Sequence, residues 1–125
     1  MKLLNNFFEI KEMTDSDCGF TCRIRLNPEH IIYKAHFPEK PITPGVCILQ
    51  IVQELMELKT GRKMYLSKAA NIKYLAVLSP TDNPEVSYGI TVPASGGNEC
   101  KIQVIVSNEQ QTFAKLSLTF VYERI

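Results

Sequence analysis

The residues best able to do chemistry cluster between positions 35 and 50, in the run Ala35-His36-Phe37-Pro38-Glu39-Lys40-Pro41-Ile42-Thr43-Pro44-Gly45-Val46-Cys47-Ile48-Leu49-Gln50. His36 is a titratable imidazole held in a segment where three prolines in seven residues, Pro38 to Pro44, forbid helix or regular strand pairing, so a fixed loop is predicted. Pro44-Gly45 then opens a helical pattern. The first N–H groups of a helix have no intrahelical acceptor and carry the positive end of its dipole, so His36 lies near donors able to polarise a carbonyl oxygen. Taken alone, the same histidine would also fit a loop position whose ring bonds a main-chain carbonyl.

The elements that position this segment follow from periodicity. From Val46 to Lys59, apolar Val46, Leu49, Val52, Leu55 and Met56 recur at helical spacing, with Cys47, Ile48 and Ile51 adding to the apolar surface. Gln50, Gln53, Glu54 and Glu57 form one narrow polar stripe, so most of the circumference should be buried, and Gly61 is a suitable stop. Phe7 to Met13 and Cys18 to Leu26 alternate as strands about a turn at Thr14-Asp15-Ser16-Asp17, and Ile31-Ile32-Tyr33 reads as a short extended piece. Ala69 to Leu78, Glu85 to Val92, Cys100 to Ser107 and Thr112 to Tyr122 read as four further strands. Two strands, one helix and four strands predict a single α+β domain over residues 1–125, with a curved antiparallel sheet around one central helix.

Composition sets the remaining bounds. The 125 residues carry 14 Lys+Arg against 13 Asp+Glu, a formal net charge of +1, and 45% are hydrophobic. A chain of this length buries roughly two thirds of its unfolded surface and needs no staples. Near-neutral, mixed charge argues against nucleic acid or an anionic membrane as a partner. No apolar run approaches the roughly 20 residues of a membrane span, and Asn5-Asn6 interrupts the N-terminus where a secretory signal would need an apolar core, so a cytoplasmic protein is expected. Cys18, Cys22, Cys47 and Cys100 show no metal-binding spacing and read as reduced thiols, with Cys18 and Cys22 sharing one face of a strand. Cys47, on the first turn of the helix, reads as a small buried hydrophobe rather than a nucleophile, and His30 as a surface residue at the start of a strand.

His36, Phe37, Pro38, Pro41, Pro44, Gly45 and Val46 together resemble the H-F-P-x-x-P-x-x-P-G-V signature of the hot-dog-fold β-hydroxyacyl-acyl-carrier-protein dehydratases of the FabZ/FabA type, seven fixed positions over eleven residues. The order of elements is similar along nearly the whole chain. The resemblance implies removal of water from a (3R)-3-hydroxyacyl thioester to give the trans-2-enoyl thioester, with no metal and no diffusible cofactor. His36 would be the general base, the backbone N–H of Gly45 or Val46 would hold the thioester oxygen, and Phe37 would contact the substrate. It further implies an acyl carrier protein or another acyl thioester as partner, and a homodimer paired edge to edge in which each site combines the histidine of one chain with the acidic helix position of the other. Lys40, Arg62, Lys63, Lys68 and Lys73 are cations available to an acidic carrier or its phosphate.

One departure bears on mechanism: the family's acidic residue is replaced by Gln50, whose amide can orient a hydroxyl but has no proton to give up. Glu54, one turn later, is the nearest carboxyl and would have to act through a water; alternatively it is merely part of the polar stripe. The simpler scheme lets His36 both take the α proton and return it to the departing hydroxyl while Gln50 holds that hydroxyl. Two other readings stay open: a hot-dog acyl-thioesterase, and a half-site subunit that needs a partner carrying the acid. Ala35 also stands where the family usually has Gly.

Overall fold

A computed structural model describes residues 2–35 and 39–124, with the backbone only at 93–96. His36, Phe37 and Pro38 therefore lie outside the described residues. The elements run β1 (Phe8–Ser16), β2 (Gly19–Leu26), α1 (Ile31–Ala35), α2 (Gly45–Thr60), β3 (Met64–Tyr74), β4 (Glu85–Gly96), β5 (Glu99–Ser107) and β6 (Thr112–Tyr122). All six strands form one antiparallel sheet in the order β1-β2-β4-β5-β6-β3.

Alternation decides which face of the sheet is dry. Phe20, Cys22, Ile24 and Leu26 of β2 and Cys100, Ile102, Val104 and Val106 of β5 point inward, and their neighbours point out. Against this inner face lie Cys47, Ile48, Ile51, Val52, Leu55 and Met56 of α2, all in the same apolar cluster as the strands. Each such side chain contributes about 1.5–3 kcal/mol when fully buried, so the helix is held by its sides rather than by propensity. Gly61 ends it as expected, at φ 70°, with its N–H donated to the Glu57 carbonyl at 2.9 Å.

Several boundaries differ from the sequence expectation, each for a local reason. The first hairpin turns at Asp17-Cys18, between the paired residues Ser16 and Gly19. Cys18 is therefore exposed at the turn while Cys22 is buried in β2, and the two do not share a strand face. Ile31-Ile32-Tyr33 is the start of the short helix α1, not an extended piece: His30 Nδ1 accepts the Ile32 N–H at 3.1 Å and caps the turn. His30 is half-buried with its ring edge-on to Phe7, rather than a surface residue at a strand's start. β4 runs on past Pro93, which falls where the pairing with β5 shifts register between Thr91 and Ala94 and one N–H can be dispensed with. β3 begins at Met64 rather than Ala69 and ends at Tyr74, because Leu75 and Ala76 leave the ladder with their N–H groups on the Phe113 carbonyl.

β3 is an edge strand bonded only to β6, and all ten residues from Tyr65 to Tyr74 are exposed. Among the described residues, no helix is long and apolar enough to cross a membrane. At the opposite end of the sheet, a Cβ at Gly19 would sit 1.9 Å from the Ile90 carbonyl oxygen, a backbone atom that cannot swing aside. Gly19→Ala is accordingly expected to destabilise the fold by about 1–3 kcal/mol through overpacking, read from the shift in a urea unfolding midpoint.

Candidate active site

The residue before Pro44, Thr43, is held by main-chain and side-chain bonds. The Thr43 N–H is donated to the Leu78 carbonyl at 2.8 Å, and the Thr43 hydroxyl pairs with the buried Tyr33 hydroxyl at 2.8 Å. Burial pushes the Tyr33 phenol well above its ordinary range, so it stays a neutral hydrogen-bonding group. Pro44 is the N-cap, extended at φ −61° and ψ 145°, and offers no side-chain acceptor to the first turn. Its carbonyl takes the Cys47 and Ile48 N–H groups at 3.0 and 3.2 Å. Gly45 and Val46 thus occupy the positions whose N–H groups lie above the start of the helical ladder. Tyr74 lies over this end: a Cβ on Gly45 would fall 2.6 Å from its hydroxyl, so a side chain here would make the tip of the Tyr74 ring move aside. Val46 is 63% exposed, and Leu75 and Val77 add exposed apolar surface.

The polar stripe of α2 is partly occupied by the chain itself. Glu54 is buried, and its carboxylate accepts the Leu3 N–H at 3.0 and 2.8 Å through its two oxygens and the Leu4 N–H at 2.8 Å. One turn back, Gln50 Nε2 donates to Glu54 Oε2 at 3.0 Å. One turn on, Glu57 Oε2 accepts the Met64 N–H at 3.0 Å, fastening the start of β3. Gln50, Gln53, Glu54 and Glu57 line a cleft of about 670 Å³, with Lys2, Lys63 and Tyr65 among its other walls. A second hollow, of about 620 Å³, lies on the outer face around Arg23, Arg25 and Glu85, remote from α2. There the Arg23 guanidinium, at 2.6 Å, holds the Glu85 carboxyl below its ordinary range.

The structure thus brings together Gln50 and Glu54 beside one cleft, and Gly45 and Val46 at the helix start, while His36 and Phe37 fall outside the described residues. The expected cations are dispersed. Lys40 faces Asp82 at 3.9 Å, Arg62 stacks 3.7 Å from the Tyr122 ring centroid, and Lys68 and Lys73 are exposed on β3. Among the described residues, no three His, Cys, Asp or Glu side chains gather as a metal site. Sequence reasoning missed the main-chain donors on Glu54 and the contact of Tyr74 with Gly45. The first joins positions about fifty residues apart and leaves no mark on periodicity; the second had a signal in the glycine alone.

The sequence model of the ApeI-like family, described as ApeI dehydratase, matches residues 11–117. The chain belongs to the ApeI-like dehydratase family. Among curated proteins, none matches it in sequence. A conserved protein from Pseudomonas aeruginosa is 15% identical over 94% of this chain and 90% of its own, with a TM-score of 0.64. The dehydratase heterocomplex ApeI:P from Xenorhabdus doucetiae is 14% identical over 90% and 96%, at a TM-score of 0.66. A hypothetical thioesterase from Streptococcus pneumoniae, solved with coenzyme A, is 12% identical over 93% and 85%, at 0.63. At these identities the likeness is one of fold, and it is the expected α+β hot-dog fold.

Burial pushes the Cys22 thiol up to about 11 and raises that of Cys47 as well, so at pH 8 both remain protonated and poorly nucleophilic. Titration with a disulfide reagent at that pH is expected to modify the exposed Cys18 quickly and Cys22, Cys47 and Cys100 only after unfolding; fast reaction of two or more thiols in the native protein would contradict this assignment.

Proposed function

We propose that the protein is a (3R)-3-hydroxyacyl-thioester dehydratase of the FabZ/FabA kind, acting on an acyl chain carried by acyl carrier protein or a similar thioester in the cytoplasm. The observation that carries this reading is the H-F-P-x-x-P-x-x-P-G-V motif, from His36 to Val46, leading into a buried helix in a member of a dehydratase family. His36 removes the proton α to the thioester carbonyl. The developing charge on the thioester oxygen is met by the N–H of Gly45 or Val46, which the proline N-cap leaves without a side-chain acceptor. The C3–O bond then breaks, the hydroxyl takes the proton back from the His36 imidazolium, and water and the trans-2-enoyl thioester result. Gln50 holds the hydroxyl during this step. Phe37, Val46 and the apolar residues beyond Tyr74 border the acyl chain.

The exposed edge β3 supports a homodimer, because a strand carrying unpaired main-chain groups and exposed Tyr65, Leu66, Ile72 and Tyr74 is a pairing surface. Gln50 also favours a second reading, a half-site subunit whose partner supplies the missing acid; one structural neighbour is itself a dehydratase heterocomplex.

The purified chain, given a trans-2-enoyl thioester, is expected to hydrate it, and His36→Ala to lower kcat by about a hundredfold or more, while Gln50→Glu keeps or raises it. An active alanine variant would exclude His36 as the base. Release of free thiol in place of hydration would point to a thioesterase, and hydration seen only after adding a partner with the acid would establish the half-site reading.

A further inference from the structure

Independently of the reaction, we propose that the outer face of the sheet over β3, β6 and β5 docks an acidic protein surface, held by Lys68, Lys73, Lys101 and Lys115. Paired residues of an antiparallel ladder point to the same side of a sheet. Lys73 pairs with Lys115, and Thr119 pairs with Lys68 on one side and Lys101 on the other. Leu116 and Leu118, which alternate with these positions on β6, belong to the core. The four lysines therefore share the opposite, outer face, and all four are exposed. Strand spacing and rise place them within about 10 Å by 14 Å. Side chains standing perpendicular to the sheet stay accessible whether or not the rim of β3 is paired.

This face carries charge that the rest of the sheet avoids. On the β2–β4 half, Arg23 and Arg25 share Glu85 at 2.6 and 3.4 Å, and on β1 Lys11 meets Glu9 at 3.2 Å. Among the described residues, none of the four lysines has an ion-pair partner. Like charges directly opposite each other, as at Lys73 and Lys115, weaken a ladder. Protection of a rim accounts for lysines on β3, but β5 and β6 are paired on both sides and have no rim to protect. A hollow of about 450 Å³ separates Lys68 from Lys101, and Glu99 is the carboxylate on its wall.

The groups between the lysines add donors. Ser117 Oγ donates to Gln103 Oε1 at 2.7 Å, which leaves the Nε2 end of Gln103 to face outward contacts as a donor. Cations with amide donors between them suit carboxylates. The residues between them, Asn71, Gln103, Ser117 and Thr119, include no aromatic ring on which bases could stack. The net charge of +1 confines the attraction to this patch, so its extent fits a partner surface of similar size rather than a long polyanion or a bilayer.

The test uses the full chain and poly-L-glutamate as the acidic probe, with nitrogen-15 shift mapping and affinity measured against salt. Amide shifts are expected to centre on Lys68, Lys73, Lys101 and Lys115, with affinity falling about fivefold or more between 50 and 300 mM salt. Lys101→Glu/Lys115→Glu is expected to weaken binding about tenfold or more, and Arg23→Gln/Arg25→Gln to leave it within about twofold. Lys115→Glu alone, by giving Lys73 an opposite charge, is expected to raise the melting temperature by about 2 °C. Absence of salt-sensitive binding, shifts centred elsewhere, an equal loss in the arginine variant, or a melting temperature that Lys115→Glu leaves unchanged or lowers would each overturn the proposal. So would tighter binding of oligouridylate or phosphatidylserine vesicles than of poly-L-glutamate, or loss of self-association in Lys101→Glu/Lys115→Glu, which would give the face to a second copy. Should that double variant fail to fold, Lys101→Gln/Lys115→Gln replaces it, and shift mapping on the native chain decides by itself. None of these outcomes depends on whether the chain hydrates an enoyl thioester.

Discussion

A helix that is apolar round most of its surface has to be enclosed, and everything else in this protein follows from enclosing α2. The six-stranded sheet turns its inner residues to that helix, and the loops at each end are fitted to where the helix starts and stops. Pro44 and Gly45 set the start, Gly61 the stop. What the sheet leaves uncovered is the polar stripe, and the protein's own chain fastens to it: Glu54 to the N-terminal segment, Glu57 to the first residue of β3. Carboxylates on a buried helix are expensive to desolvate unless donors meet them, and main-chain N–H groups meet both.

The same enclosure places the candidate site. Gly45 and Val46 open the helix under Tyr74, and Gln50 lies a turn and a half further on, beside the cleft formed by the stripe. The positions of these described residues are therefore set by helical spacing along one element.

Much of this was legible in the sequence, and the physical reason is burial. Long periodic segments such as α2, β5 and β6 emerge with nearly their expected limits, because alternation or helical spacing over nine or more residues can be satisfied on one side of one core only. The start of α2 was legible because a proline fixes its own φ whatever surrounds it, and Pro44 is found as the N-cap. The strand β3 was misplaced by five residues at its start, since an edge with both faces exposed carries little alternation to read. The turn of α1 was hidden because its cap, the His30 ring, is a side chain rarely used so. The role of Glu54 was half legible: its place on the stripe followed from spacing, but its partners come from the far end of the sequence.

The exposed rim at β3 has a consequence for any strand that could pair with it. Main-chain donors and acceptors along a strand are the same whatever the residues, so they accept a copy of this chain or a related one with equal ease. Discrimination falls to Tyr65, Leu66, Ile72 and Tyr74, whose bulk must interleave with what the other strand presents. Substitutions along that one rim would change which strand can pair there while leaving the interior untouched.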